Sequence, residues 1–287
     1  MLTPDNFRSI ARCRRLAPER PGFAGPGHSA VEVIGPNDLT ASDPFVLLMD
    51  DRIDFEPGTV IGGAHPHAGL ETVTFMLEGR IEDRDEGVMR PGDVVWMTAG
   101  RGVIHNEDVK AGGRSRLLQL WITLPEKDRA AAPRFDVLRV EDMPVFRAPG
   151  VEARVYSGAS NGLVSQTRNY VPVTLVDVRL SEGAVFEQAL PAHYNGFVLP
   201  LSGAVRVGSV TVAANEIGWL DRRDGGEATT LAIEGSSAAR VLLYAGQRQE
   251  EPTVQHGPFV AGSQAAIEKM FREFRAGRFT PISELAH

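Results

Sequence analysis

The chain has 287 residues, a formal net charge of −7, 43% apolar and 23% charged residues. Those values fit one large or two ordinary globular domains, exclude disorder along the whole chain, and offer phosphate backbones no overall attraction. No apolar run approaches the ~18 residues of a membrane span, and Cys13 is the only cysteine, so no internal disulfide can form.

The N-terminus lacks the apolar core of a secretory signal, and its one basic stretch, Arg8, Arg12, Arg14 and Arg15, reads as a solvated surface. A reducing cytoplasm is the expected location. Gly and Pro supply 49 of the 287 residues, against an average share of roughly 12%. They are spread along the chain, as turns joining many short strands would be.

The first clear strand signal is the alternating run Glu71-Thr-Val-Thr-Phe-Met-Leu77; a second is Gly203-Ala-Val-Arg-Val-Gly208. The two lie within a faint internal repeat. Leu77-Glu-Gly79 is followed 17 residues after its glycine by Trp96, and Leu201-Ser-Gly203 is followed 16 residues after its glycine by Trp219. With the length, this predicts an all-β chain of two barrels of one design. The polar, proline-bounded segment Leu124–Pro133 is the expected connection. The domains are placed at residues 1–135 and 136–287. Near the C-terminus, Ser263 can cap a helix running to about Ala276, with Gly277 as its stop. Ile267, Met270, Phe271 and Phe274 form one apolar stripe on it, expected to pack on a barrel.

The chemistry concentrates in two short groups. In a strand, residues i and i+2 share a face, so His65 and His67 can aim two imidazoles at one point. Pro66 between them cannot donate to a ladder, which suits an edge strand, and Gly62-Gly63 permits a sharp approach. His105 and Glu107 repeat the spacing with an imidazole and a carboxylate. On adjacent antiparallel strands these pairs would bring together His65, His67, His105 and Glu107. Three nitrogens and one anionic oxygen suit Fe, Mn, Ni, Cu or Zn and leave positions for further ligands. His28 lies in a Gly/Pro loop, His256 precedes Gly257-Pro258, His193 has no second histidine two positions away, and His287 is terminal; these read as structural. Aligning the two tryptophans puts Ala228 and Thr230 where His105 and Glu107 stand, so the second barrel is expected to be metal-free, either structural or a regulatory cover.

These motifs resemble the pirin family, a branch of the cupins. The resemblance is carried by His65-Pro-His-Ala-Gly-Leu-Glu-Thr-Val-Thr-Phe75, Leu77-Glu-Gly79, Pro91-Gly-Asp93 and above all Trp96-Met-Thr-Ala-Gly-Arg-Gly-Val-Ile-His-Asn-Glu107. Leu118-Gln-Leu-Trp-Ile-Thr-Leu-Pro125 and Glu251-Pro-Thr-Val-Gln-His-Gly-Pro-Phe259 extend it. It implies two stacked cupin (jelly-roll) barrels, the C-terminal helix packing back on them. It also implies one divalent metal, iron first, held in the N-terminal barrel by His65, His67, His105 and Glu107.

The activity it implies is a quercetin 2,3-dioxygenase-type cleavage of a small aromatic substrate by O2, with Glu107 as the base. Glu71 is then expected to orient a ligand, and Phe75, Met76 and Met97 to line the pocket. The alternative is an iron-binding, redox-sensing co-regulator that reads a protein partner and makes no direct nucleic-acid contact. Another small-molecule dioxygenase or isomerase on the same scaffold is a third reading. The chain departs from the family's pattern in having Ala68-Gly69-Leu70 where many pirins have Arg-Gly-Phe, and in a short Gly79–Pro91 hairpin, both expected near the pocket mouth.

Overall fold

A computed structural model describes residues 6–36, 39–83, 87–106, 109–111, 113–225 and 227–285. Apart from two helices and a few single turns, its regular elements are β-strands. By contact the chain divides into two compact units, residues 17–141 with 249–287 and residues 1–16 with 142–248, called here the first and second barrels.

In the first barrel, β1 (His28–Ile34), β2 (Phe45–Asp54), β3 (Ala64–His67), β4 (Leu70–Glu78), β5 (Val94–Thr98), β6 (Val103–Asn106), β7 (Arg114–Thr123) and β8 (Arg134–Leu138) carry the architecture. The larger sheet is antiparallel, in the order β8-β5-β4-β7-β2-β1, closed by the short strand Arg20–Pro21. β6 lies between β3 and the short strand Thr280–Pro281, so β3 stands at the edge of its small sheet, as Pro66 requires. The alternation that marked β4 holds along the strand. Gln119 and Trp121 on β7 face Thr74 and Thr72 on one side, while Glu71, Val73 and Phe75 take the other.

The C-terminal helix, α1 (Gln264–Arg275), starts at Ser263, whose side chain accepts from Ala266 N–H at 3.3 Å. Past its end, Gly277 adopts the left-handed conformation at φ 68° that helix stops favour. Its stripe, Ile267, Met270, Phe271 and Phe274, packs with Ala68, Ile104, Phe259 and Phe279. The helix therefore groups with the first barrel, whereas the sequence placed residues 136–287 together as a second domain. Leu124–Pro133 is likewise part of this unit. Arg129 is buried and donates to Leu124 O and Pro252 O, and Glu126 N–H reaches the Glu251 carboxylate at 2.7 Å.

The second barrel repeats the plan. Its larger sheet runs Ile10–Arg15, Glu216–Leu220, Tyr194–Ser202, Ala239–Gln247, Val173–Leu180, Val151–Ser157, Val145–Ala148. Its core is aliphatic, with Val176, Val178, Val198, Leu231, Val241 and Leu243 fully buried. Trp219 sits beside Phe197 of the strand that begins the repeat, as Trp96 sits beside Val73 in the first barrel. No described helix is long and apolar enough to cross a membrane.

Candidate metal centre and its cavity

β3 and β6 are antiparallel, with His65 opposite His105 and His67 opposite Val103. Directly paired residues project to the same face, as do residues two apart. This register gathers three imidazoles whose ring centroids are 4.9 Å (His65–His67), 5.3 Å (His65–His105) and 6.2 Å (His67–His105) apart. With metal–nitrogen bonds of about 2.0–2.1 Å, two imidazoles on one ion have centroids roughly 4.5–5.5 Å apart. Two of the three pairs meet that spacing and the third is wider. Among the described residues, no three His, Cys, Asp or Glu side chains form a ready metal-holding group. Glu107, the expected fourth ligand and base, lies outside the described residues.

His67 and His105 are buried, at 3% and 5% exposure. Nδ1 of His65 donates to Gly63 O at 2.9 Å. That bond fixes the tautomer with a lone pair on Nε2, the form in which a histidine binds metal. Gly63, at φ 145°, makes the carbonyl available by a backbone bend that other residues rarely adopt. The donor chemistry and the orientation of His65 thus fit a transition metal.

His65 and His67 open onto a cavity of about 980 Å³. Its walls include His65, His67, Gln119, Trp121, Met49 and Asp51, so it is built from β2, β3 and β7 together with the Gly/Pro loop before β1. Trp121 meets His67 edge to face at 5.2 Å. Gln119 accepts a hydrogen bond from Thr74 at 2.6 Å, which orients its amide.

Several expected site residues lie elsewhere. Glu71 is fully buried but projects from β4 on the face opposite Thr72 and Thr74; it accepts from Thr98 Oγ1 at 2.7 Å and lies 3.7 Å from the Arg134 guanidinium. Phe75 shares that face. Met76 and Met97 point the other way but are packed in the apolar cluster with Val95 and Leu117, and none of the three lines the cavity. The Ala68-Gly69-Leu70 segment is interior too. Ala68 and Leu70 are fully buried, and a Cβ on Gly69, at φ 77°, would come within 1.8 Å of Val260 O. Part of the Gly79–Pro91 hairpin, residues 84–86, is outside the described residues.

Of the other histidines, His28 begins β1 and is buried with its Nε2 hydrogen-bonded to Asp51, where a loop position was expected. His193 and His256 contact Tyr194 and Phe271. His287 is outside the described residues. In the second barrel the strand pair corresponding to β3 and β6 sets Ala189 against Thr230 and Pro191 against Ala228. Asp51, Gln119 and Trp121 were not foreseen as site residues. An Asp50-Asp51 pair directly after the apolar run Phe45–Met49, and Trp121 inside a recognised motif, were the available signals.

Comparison with known proteins identifies the chain's relatives. Residues 28–122 match the family model described as Pirin, and residues 175–280 the one described as Pirin C-terminal cupin domain. The chain is 35% identical over 275 residues to a pirin-like protein of Caulobacter vibrioides, covering 92% of this chain and 98% of the relative. It is 34% identical over 258 residues to mouse pirin, covering 88% of each. A solved quercetin 2,3-dioxygenase from Acinetobacter baumannii superposes with a TM-score of 0.84 at 25% identity, over 96% of this chain and 99% of that one. With two cupin domains and relatives of this similarity along nearly its full length, the chain belongs to the pirin family.

Proposed function

We propose that this protein is a metal-dependent dioxygenase that cleaves a flavonol-like aromatic substrate with O2. The observation that carries the reading is the convergence of His65, His67 and His105, the first two of which line a cavity of about 980 Å³, a volume in the range that small-molecule sites occupy. The likeness to a solved quercetin 2,3-dioxygenase supports it. A redox sensor that reads a protein partner has no need of such an interior space, which ranks that alternative second.

The residues assigned to the metal are His65, His67, His105 and Glu107. When bound, a divalent transition metal, Fe(II) first and Mn, Ni, Cu or Zn after it, supplies a Lewis acid for an enolic or phenolic oxygen and, where redox-active, an electron path toward O2. The chain's own residues do the rest. Gly63 O holds the His65 ring in its ligating tautomer, and Trp121 packs on the edge of His67 and restrains its rotation. Glu107, adjacent to the three imidazoles in sequence pattern, is assigned the proton of the substrate hydroxyl, since a carboxylate beside a bound hydroxyl is within reach of it. Burial of His67 and His105 keeps bulk water from the reacting end.

The test is to incubate iron-loaded protein with quercetin under air and follow the flavonol absorbance. Metal-dependent loss of the band, abolished in His105→Ala, is expected. Equal rates in wild type and His105→Ala would overturn the proposal.

A further inference from the structure

Asp51, on the same cavity wall, is held in a definite orientation. His28 is 6% and Asp51 8% exposed. Nδ1 of His28 accepts from Ala24 N–H at 3.2 Å. The ring therefore carries its proton on Nε2 and donates it to Asp51 Oδ1 at 2.8 Å. The ring is also boxed in. A Cβ on Gly22 would come within 2.4 Å of it, and Phe23 meets it edge to face at 4.9 Å. A carboxylate can accept several hydrogen bonds at once, and Asp51 lines the cavity.

The position of Asp51 along its strand sets a length. Leu47, Met49 and Asp51 share the face of β2 that lines the cavity. Leu47 stands opposite Trp121, which touches His67; Met49 stands opposite Gln119. Four residues of strand at about 3.3 Å each separate the histidine end from Asp51 by roughly 13 Å. A planar molecule of two or three linked rings spans that distance, passing over Met49 and Gln119.

We propose that Asp51 accepts a hydrogen bond from a hydroxyl at the end of the aromatic ligand remote from the three histidines, with His28 as the positioning residue behind it. The pocket then selects flavonols hydroxylated on their outer rings over the unsubstituted parent. This rests on the dioxygenase reading for the class of ligand, and goes beyond it in naming what sets the specificity.

The experiment measures binding by calorimetry under anaerobic conditions, so that turnover does not intervene. It uses the metal-loaded full chain with quercetin and with 3-hydroxyflavone, which lacks the outer hydroxyls. Wild type is expected to prefer quercetin. Asp51→Ala should weaken quercetin by about tenfold or more, the scale of a hydrogen bond to a charged acceptor, and leave 3-hydroxyflavone unchanged. His28→Ala should lower the same affinity ratio by a smaller factor. Should Asp51→Ala not fold, the near-isosteric Asp51→Asn carries the test and should also lower the ratio. An unchanged ratio, whether both affinities fall together or neither does, overturns the inference and leaves the dioxygenase reading standing. Failure of wild type to bind either flavonol overturns both.

Discussion

Glu71 shows how one residue's place in a strand decides its role. Its carboxylate is fully buried, and Thr98 Oγ1 and the Arg134 guanidinium offset the cost of burying it. Thr98→Val should therefore cost about 1–3 kcal/mol in urea unfolding, because it withdraws a donor from a buried charge, while metal affinity stays unchanged. A lost metal site in that variant would return Glu71 to the centre. The sequence pattern made the three histidines legible because i, i+2 spacing maps directly onto one strand face. The same rule, applied with Trp121 as reference, puts Glu71 and Phe75 on the wrong face of β4. Without knowledge of the β4–β7 register, that reference was not available. His28 and Asp51 stayed hidden for a related reason: they are 23 residues apart and meet only when β1 pairs with β2.

Strands and helices were easier to read than their partners. The α1 cap, stripe and stop all follow from local chemistry, and each is where the pattern put it. What the stripe packs on, Ala68 and Phe259 among others, is a long-range fact with no local signature. In the second barrel, the N-terminal strand Ile10–Arg15 is anchored at its start by Asp221. Arg8 Nε donates to that carboxylate at 2.9 Å, Arg223 Nε at 2.8 Å and Ser9 N–H at 3.0 Å. Burial pushes the Asp221 carboxyl upward, but the bonds from Ser9, Arg223 and Arg8 outweigh it and hold it below the ordinary carboxylate range. The sign follows: a carboxylate depressed in the folded state adds stability above its unfolded value, near pH 3.9, and that stability is lost as pH falls through the folded value. Thermal melts of wild type and Asp221→Asn should differ at pH 6 and converge on acidification below about pH 4. A constant difference across that window would contradict the assignment.

At the scale of the whole molecule, the two barrels were visible as a faint repeat of strand, turn and tryptophan, but their boundaries were not. Residues 1–16 group with the second barrel and 249–287 with the first. That exchange depends on contacts such as Val260 N–H to Ala68 O at 3.0 Å and β6 beside Thr280–Pro281, which no composition shift announces. The consequence for function is that β6, the strand carrying His105, is supported by residues from the far end of the chain. The functional account rests on three imidazoles from β3 and β6 holding one ion. The most direct check is the metal content of the full chain after supply of Fe(II), measured by elemental analysis alongside His105→Ala of equal thermal stability. The account predicts close to one ion per chain in wild type and a large loss in the variant. An ion-free wild type, or equal content in both proteins, would contradict it.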